Sequence, residues 1–296
     1  MRARLAAGIV LLLRGLLLPL GWRGAQRLGA GLGRLAGRLA RRDRGRAREH
    51  LAIAFPGLPP AEREHLLDAC FAHLGAMAFE CLQMLRMDCA ALGRRVVIEG
   101  WDEVESARAG GRPMIVLTGH CGNWELLAAA IGCGGVQLDA VARQHDDPEL
   151  ASFLVRLRSR FGVRTLSRGS SSAARDLLRA LRAGNAVGLL IDQDTRVDGV
   201  WVPFFGRDAY TPVGAAQIAL RRGAAVLPSF AERLPDGRHL LRFLPALELP
   251  DDLVAATALM TRCIEEQVRR RPEQWVWMHR RWRRRPPEEA AAAPQR

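Results

Sequence analysis

From Arg95 to about residue 271, short apolar runs alternate with amphipathic segments. The apolar runs are typical of strands, and apolar spacing of three and four is typical of helices. The predicted strands are 96–98, 114–118, 137–141, 163–166, 186–191, 225–230 and 240–244, and the predicted helices are 123–131, 148–160, 171–183, 212–222 and 252–271. This alternation predicts an α/β fold, with helices flanking one mixed, mainly parallel sheet.

The first third of the chain has a helical pattern instead. Residues 33–54 combine Arg with Leu and Ala at helical spacing, which predicts a basic surface helix ended by Phe55, Pro56 and Gly57. A second, longer helix follows and extends to about Met87. Its apolar residues recur at intervals of three and four, which indicates packing in the core rather than a cofactor site. They are Cys70, Phe71, Leu74, Met77, Ala78, Cys81 and Leu82.

Apolar residues dominate positions 5–22, which would span about 27 Å as a helix, close to the roughly 30 Å hydrocarbon core of a bilayer. Arg14 and Pro19 disfavour a full span, because a central arginine costs about 2.5 to 3.5 kcal/mol. A cleaved signal peptide is the alternative, but no small-residue cleavage site follows promptly. We predict an uncleaved membrane anchor over 1–22, one folded domain over 23–296, and a disordered tail at about 286–296.

The chain of 296 residues has a formal net charge of +13 and a pI near 11.1. Such a charge indicates an anionic partner, which could be nucleic acid, an anionic membrane or a phosphorylated substrate. The basic residues are arginines throughout, and arginine binds phosphate in a two-pronged geometry. The six cysteines form no CxxC pair, so the sequence predicts neither a zinc site nor a disulfide framework, and a reducing compartment fits best.

The segment GHCGNWE at 119–125 follows the predicted strand 114–118 and contains His120 and Glu125. His120 would emerge at the carboxyl end of that strand, where open α/β sheets bind ligands. Glu125 falls in the first turn of the next helix, with Asn123 as its N-cap. A carboxylate that accepts a hydrogen bond from Nδ1 would fix the histidine tautomer and strengthen Nε2 as a base.

Other interpretations of this segment remain open. Glu125 could serve only as an acid at a helix N-terminus, with His120 as a polar loop residue, since the spacing is frequent by chance. A metal site is disfavoured because no third ligand lies nearby in the sequence. A nucleophilic Cys121 is disfavoured because its neighbour His120 would point away from it.

Other polar side chains follow neighbouring predicted strands. Arg143 and Arg168 lie beyond 137–141 and 163–166, and each could bind a phosphate or be a solvated surface charge. Asp192 follows 186–191 and adds a carboxylate at the same sheet edge. Two aromatic segments complete the candidates. VPFFG at 202–206, which contains Phe204, Phe205 and Gly206, predicts an apolar loop that is either buried or lines an acyl groove.

The C-terminal segment 272–285 contains three tryptophans, Trp275, Trp277 and Trp282, among arginines. Tryptophan and arginine suit a membrane interface, where the indole lies at the depth of the headgroups and the guanidinium pairs with phosphate. Nucleic acid is the other interpretation, because arginine and stacking aromatics also bind single strands. The predicted anchor favours the membrane.

Together these segments resemble the bacterial lipid A biosynthesis acyltransferases, the late lauroyl and myristoyl transferases of the lysophospholipid acyltransferase superfamily. The resemblance follows family order across most of 5–285. The matching segments are the N-terminal apolar segment, FPGL at 55–58, GHCGNWE at 119–125, Arg143, Asp192 with Gln193, GVWVPFFG at 199–206 and PEQWVWMHRRW at 272–282. The chain departs from the family at Ala142 and Gln144, where an aromatic residue and a proline are common.

The resemblance implies a glycerol-3-phosphate acyltransferase-like fold and an enzyme at the cytoplasmic face of the inner membrane. It would move an acyl chain from acyl carrier protein, or coenzyme A, to a hydroxyl of a lipid A precursor, without a cofactor or metal. In that mechanism His120 removes the hydroxyl proton and Glu125 orients His120. The predicted substrate-binding residues are Arg143, Arg168, Asp192, Phe204, Phe205 and Gly206.

The expected partners are an anionic membrane, acyl carrier protein and a lipid A precursor or related glycolipid, but not nucleic acid. Two alternatives are acylation of another glycolipid or lysophospholipid, and a non-enzymatic basic protein that binds anionic polymers at a membrane.

Overall fold

The computed structural model describes residues 20–143, 147–168 and 172–286. Its strands are β1 (Val96–Glu99), β2 (Met114–Thr118), β3 (Leu138–Arg143), β4 (Arg164–Arg168), β5 (Ala186–Leu190), β6 (Gly199–Phe204), β7 (Arg207–Pro212), β8 (Ala225–Arg233) and β9 (His239–Phe243). Seven form one sheet in the order β1-β9-β8-β2-β5-β3-β4, and β6 and β7 form a separate hairpin. In the large sheet only β8 and β9 pair antiparallel, so the predicted mixed, mainly parallel sheet is confirmed.

The helices of the described residues are α1 (Trp22–Leu39), α2 (Arg41–Ala54), α3 (Pro60–Met84), α4 (Cys89–Gly93), α5 (Trp101–Ala109), α6 (Trp124–Cys133), α7 (Pro148–Arg160), α8 (Ala173–Arg182), α9 (Gly214–Arg222) and α10 (Leu253–Arg270). Local chemistry sets their ends. The side chain of Asp147 accepts from two backbone N–H groups at the start of α7, and Gly223, at φ 60°, ends α9.

Strand β2 lies in the middle of the sheet and is buried over its whole length. Its side chains alternate between the two faces, as a period of two requires. Met114 and Val116 join one hydrophobic core, and Ile115 and Leu117 join a second core on the opposite face. Helices therefore cover the sheet on both sides, which is what a continuous apolar strand predicts.

The single basic helix predicted over 33–54 is wrong: the chain forms α1 and α2, which meet at Ala40. Glycines explain how α1 packs. A Cβ added to Gly33 would lie 2.2 Å from the backbone oxygen of Phe71, and one added to Gly29 would lie 2.5 Å from the oxygen of Gly75. The two helices α1 and α3 therefore touch backbone to backbone, and only glycine allows this approach.

Most of the predicted anchor, residues 1–19, lies outside the described residues, as does the tail beyond Pro286. Within the part of the chain that the structure describes, no helix is long and apolar enough to cross a membrane. Trp22, at the end of the predicted anchor, instead begins α1. It is buried, and its Nε1 donates a hydrogen bond to the backbone oxygen of Gly237 at 2.8 Å.

A disulfide joins Cys89 and Cys133, 44 residues apart in sequence, with a Cα–Cα distance of 5.4 Å. The prediction that the cysteines form no disulfide is therefore wrong for this pair. Sequence spacing gave no signal because the bond depends on the packing of α4 against the end of α6. The cysteines Cys70, Cys81, Cys121 and Cys263 are free.

The tryptophans of 272–285 lie in the core, so the membrane-interface interpretation of this segment is wrong, and stacking on nucleic acid bases fails for the same reason. Trp275 and Trp277 are fully buried, and Trp282 is 8% exposed. Arg281 is buried with them. Its guanidinium lies 4.9 Å from the ring centroid of Phe204 and donates to the backbone oxygen of Tyr210 at 2.7 Å. Buried arginine requires such partners, which local sequence does not reveal.

Candidate active site

The carboxyl ends of β2, β3, β4 and β5 open onto a cavity of about 1750 Å³. The side chains at these strand ends, including His120, Arg143 and Arg168, line it together, as their predicted places at one sheet edge require. One side of the cavity is apolar and is formed mainly by α3 and α6. Its residues include Leu74, Met77, Ala78, Cys81, Leu82, Leu85, Leu127, Ala128 and Ile131.

His120 is held by Asp192, which is buried directly behind it. Nδ1 of His120 donates to Oδ1 of Asp192 at 2.8 Å, and the backbone N–H of His120 donates to Oδ2 at 2.8 Å. The indole Nε1 of Trp275 donates to the same Oδ2, also at 2.8 Å. Burial alone would raise the pKa of Asp192, but the charge of His120 and these hydrogen bonds lower it to about 2. A carboxylate on Nδ1 leaves the lone pair on Nε2, as a base requires.

The prediction that Glu125 holds the His120 ring is wrong. Both carboxylate oxygens of Glu125 accept hydrogen bonds from Arg158 of α7, at 2.8 and 2.6 Å, and Glu125 is only 4% exposed. Asp192 holds the His120 ring instead. Parallel pairing aligns Thr118 of β2 with Leu190 of β5, and His120 and Asp192 lie two residues beyond these partners. Glu125 still lines the cavity, as part of a buried ion pair.

The turn that carries His120 depends on a glycine. Gly122 has φ 59°, and a Cβ there would lie 1.8 Å from the backbone oxygen of Ala231. Its N–H donates to the backbone oxygen of Gln274 at 2.8 Å, and His73 Nε2 lies 3.2 Å from its carbonyl oxygen. No other residue fits this backbone position without moving β8.

A buried carboxylate that does not line the cavity, Glu80, anchors the same turn. Oε2 of Glu80 accepts from Asn123 at 2.8 Å and from Arg233 at 3.0 Å, while Oε1 accepts from Gln26, Arg233 and His239 at 2.6, 2.7 and 3.0 Å. We call these residues, with His73, the Glu80 cluster. Arg233 Nη1 also donates to Nδ1 of His73 at 2.6 Å, so Nε2 of His73 carries the hydrogen toward Gly122.

The charges of the Glu80 cluster set its protonation. Burial alone would raise the pKa of Glu80, but His239 and Arg233 lower it well below its usual range. Burial and the charge of Arg233 lower the pKa of His73 to about 3, so this imidazole is neutral at pH 7. The sequence pattern indicated only that α3 packs in the core. A charged residue inside an apolar helical face was the signal available for this cluster.

Arg143 and Arg168 are neighbours across the parallel pair β3 and β4, and both line the cavity. Burial and the charge of Arg143 lower the pKa of Arg168. Two guanidinium groups held side by side favour a dianion such as a phosphate between them. The cavity is also lined by Arg156, Arg158, Arg196 and Arg283.

The predicted loop at 202–206 is the β6–β7 hairpin, with its tight turn at Phe205 and Gly206, both at positive φ. Phe204 is fully buried against Trp275 and Trp282, and Phe205 packs on Phe55 and Trp277. None of Phe204, Phe205 and Gly206 lines the cavity, so the structure gives this segment a role in packing. Cys121 is also buried, and burial raises the pKa of its thiol well above its usual value. A thiol that stays protonated is a poor nucleophile.

Fold and site together define a class: an α/β transferase or hydrolase with a carboxylate-bound histidine at a strand end, in a cavity lined by apolar residues and arginines. Comparison with known proteins narrows the class. The model of the bacterial lipid A biosynthesis acyltransferase family matches residues 3–284, so the chain belongs to that family.

Three relatives with acyltransferase names agree with this family. A lipid A biosynthesis lauroyltransferase of Escherichia coli is 28% identical over 88% of this chain and 85% of its own length. A lipid A biosynthesis acyltransferase of Haemophilus influenzae is 28% identical over 83% and 78%. A phosphatidylinositol mannoside acyltransferase of Mycobacterium tuberculosis is 28% identical over 76% and 73%. The protein is therefore an O-acyltransferase, and the alternative of a non-enzymatic binding protein is wrong.

Proposed function

We propose that the protein transfers a fatty acyl chain from a carrier thioester to a hydroxyl of a lipid A precursor. The observation that carries this proposal is the His120–Asp192 pair inside a cavity with an apolar wall and an arginine-lined wall. The relatives named for lipid A support the acceptor, and the net charge of +13 suits an acidic acyl carrier protein as donor, with coenzyme A as the alternative.

The proposed chemistry uses the lone pair on Nε2 of His120. As the acceptor oxygen attacks the thioester carbonyl, Nε2 takes the hydroxyl proton, and Asp192 stabilises the imidazolium through Nδ1–H. Collapse of the tetrahedral intermediate breaks the carbon–sulfur bond, and the imidazolium returns its proton to the leaving thiolate. The products are an ester and a free carrier thiol, and neither a metal nor a cofactor is required.

The two walls of the cavity suit the two parts of such a substrate pair. The apolar side formed by α3 and α6 would hold the acyl chain, because burying each methylene contributes about 0.8 kcal/mol. Arg143 and Arg168 would bind a phosphate of the acceptor or donor. Glu125 would act through Arg158 by fixing one guanidinium in the wall.

We also propose that α1 lies on the cytoplasmic face of an anionic inner membrane. Leu28, Leu32, Leu35 and Leu39 recur at intervals of three and four and are exposed, at 37 to 74%. Arg27, Arg34 and Arg38 are exposed beside them. Leucine on one face with flanking arginine is the pattern of a helix lying in the membrane interface.

Mass spectrometry of purified reactions tests the proposal. Acyl carrier protein and coenzyme A thioesters are each offered with a phosphorylated, acylated glucosamine disaccharide, with a mannosylated phosphatidylinositol, and with lysophosphatidic acid. We expect acyl transfer to the disaccharide, reduced at least 100-fold in His120→Ala and unchanged in the exposed control His65→Ala. Acylation of only the mannolipid or of lysophosphatidic acid would show that the acceptor assignment is wrong.

A further inference from the structure

Three residues that line the cavity each have a buried polar atom without a hydrogen-bond partner among the described residues. The atoms are Oδ2 of Asp194, Oγ1 of Thr195 and Nε2 of His279. All three residues line the cavity that holds His120. Buried polar atoms are nearly always paired in folded proteins, so three unpartnered ones on neighbouring residues of one cavity lining point to a bound partner.

The segment from Asp192 to Thr195 and the C-terminal segment around His279 are fixed against each other. Oδ1 of Asp194 accepts from Arg283 at 3.0 Å and lies 3.3 Å from Nε of Arg284. Arg284 also donates to the backbone oxygen of Thr195 at 3.1 Å. One oxygen of the Asp194 carboxylate is therefore occupied, and the other is held in a fixed place without a donor.

His279 presents an acceptor at the same place. Its ring forms a hydrogen bond with the backbone of Asp194, and because Nε2 is unpartnered, the bonded nitrogen is Nδ1. The backbone oxygen can only accept, so Nδ1 carries the hydrogen and Nε2 carries a lone pair. Burial lowers the pKa of His279 to about 4, which keeps the ring neutral at pH 7.

A carboxylate oxygen and a neutral imidazole nitrogen both accept hydrogen bonds, whereas a threonine hydroxyl can donate or accept. A phosphate offers neither atom a donor and would be repelled by the carboxylate. Hydroxyl groups satisfy all three atoms. His279 lies close enough to His120 and Asp192 for their charges to act on its ring, and His120 would deprotonate the acceptor, so we place the acceptor beside these atoms.

Building on the proposed glycolipid acceptor, we propose that Asp194, Thr195 and His279 form a hydroxyl subsite that binds the sugar hydroxyls of the acceptor. Arg143 and Arg168 would take its phosphate, and the hydroxyl subsite its neutral polar groups. The subsite would then separate a sugar-bearing acceptor from a lysophospholipid with the same phosphate and a single hydroxyl.

Steady-state kinetics of the full chain test the subsite with the glucosamine disaccharide lipid, with lysophosphatidic acid and with the acyl donor varied separately. Thr195→Val removes only the hydroxyl, and His279→Phe removes the acceptor but keeps a ring. Each should raise the KM for the disaccharide about 2- to 10-fold, the effect of one lost hydrogen bond, with kcat nearly unchanged. Thr195→Ser and His279→Gln keep a polar atom and should restore most of the affinity.

The KM for the donor should not change in these variants, any transfer to lysophosphatidic acid should stay at the level of the wild type, and the melting temperature should stay near that of the wild type. A rise in donor KM instead would assign the three atoms to the carrier arm and overturn the proposal. So would an unchanged disaccharide KM in an active, folded enzyme. A wild-type protein inactive on the disaccharide would overturn the proposed function first, and the subsite with it.

Discussion

Two groups of charged residues contact the turn at 119–123, the His120–Asp192 pair and the Glu80 cluster. They contain the same residue types but have different roles. On the cavity side, Asp192 holds a partly exposed histidine in one tautomer. Outside the cavity lining, the Glu80 cluster encloses its carboxylate completely and binds the side chain of Asn123. The two groups differ in whether their histidine can reach the cavity. A carboxylate–histidine pair that reaches the cavity can move a proton, and a sealed one can only fix the backbone that presents it.

The largest expected effect comes from breaking the sealed side. Glu80→Ala leaves Arg233 buried without its anion, which should lower the free energy of unfolding by about 3 to 5 kcal/mol. Urea unfolding followed by circular dichroism measures this. Glu62→Ala, at an exposed position on the same helix, should cost under about 1 kcal/mol. Equal losses in the two variants would contradict the anchoring role.

Breaking the open side should reduce activity and spare the fold. In Asp192→Asn the new amide donates to Nδ1 of His120, which moves the ring hydrogen to Nε2 and removes the lone pair that the acceptor hydroxyl needs. We expect kcat to fall about 100- to 1000-fold, with a melting temperature within a few degrees of the wild type. Retention of more than a tenth of the activity would show that Asp192 does not set the tautomer.

Lowering the pH tests the buried Glu80 cluster without changing the size of any side chain. The pKa of His73 is lowered in the folded protein to about 3, against about 6.5 when unfolded. The unfolded state therefore binds more protons between these values, and stability falls as the pH drops below 6.5, by up to about 1.4 kcal/mol per pH unit for this residue. Between pH 6 and 5, His73→Gln should flatten the slope of unfolding free energy against pH, whereas exposed His65→Gln should leave it unchanged.

The smallest expected effect concerns Trp275, which lies between the two sides. Trp275→Phe keeps an aromatic ring and removes the hydrogen bond to Oδ2 of Asp192. We expect a three- to tenfold fall in kcat with an unchanged acceptor KM, since Nδ1 of His120 still has its partner. The pH profile of kcat is the second measurement. A rise in acceptor KM instead would mean that the indole contacts substrate.

Periodicity was sufficient for the main elements of the sheet and for the place of His120, because continuous apolar strands and helical spacing are local signals. The hydrogen-bond partner of His120 is distant in the sequence, so local patterns could not predict it. Glu125 is five residues away and Asp192 is 72, yet the register of two adjacent parallel strands brings the distant one to the ring. Strand order, which fixes that register, comes from packing across the whole domain.

The same limit explains the aromatic segments. Phe204, Trp275 and Trp282 have the composition of a lipid-facing surface, but each is buried against residues distant in sequence. Their burial also makes Arg281 a core residue, for which burial lowers the pKa to about 10. Composition describes what a side chain can contact, and only the fold decides what it does contact.

The backbone contact of α1 with α3 has a mechanical consequence. With Gly29 and Gly33 against Gly75, no side chains lie between the helices there, and a Cβ at Gly33 would lie 2.2 Å from the backbone oxygen of Phe71. The leucine row of α1 is exposed, whereas Met77 and Cys81 of α3 line the cavity that holds His120. A larger side chain at Gly33 would therefore push α3 away from α1 and displace two residues of the apolar cavity wall.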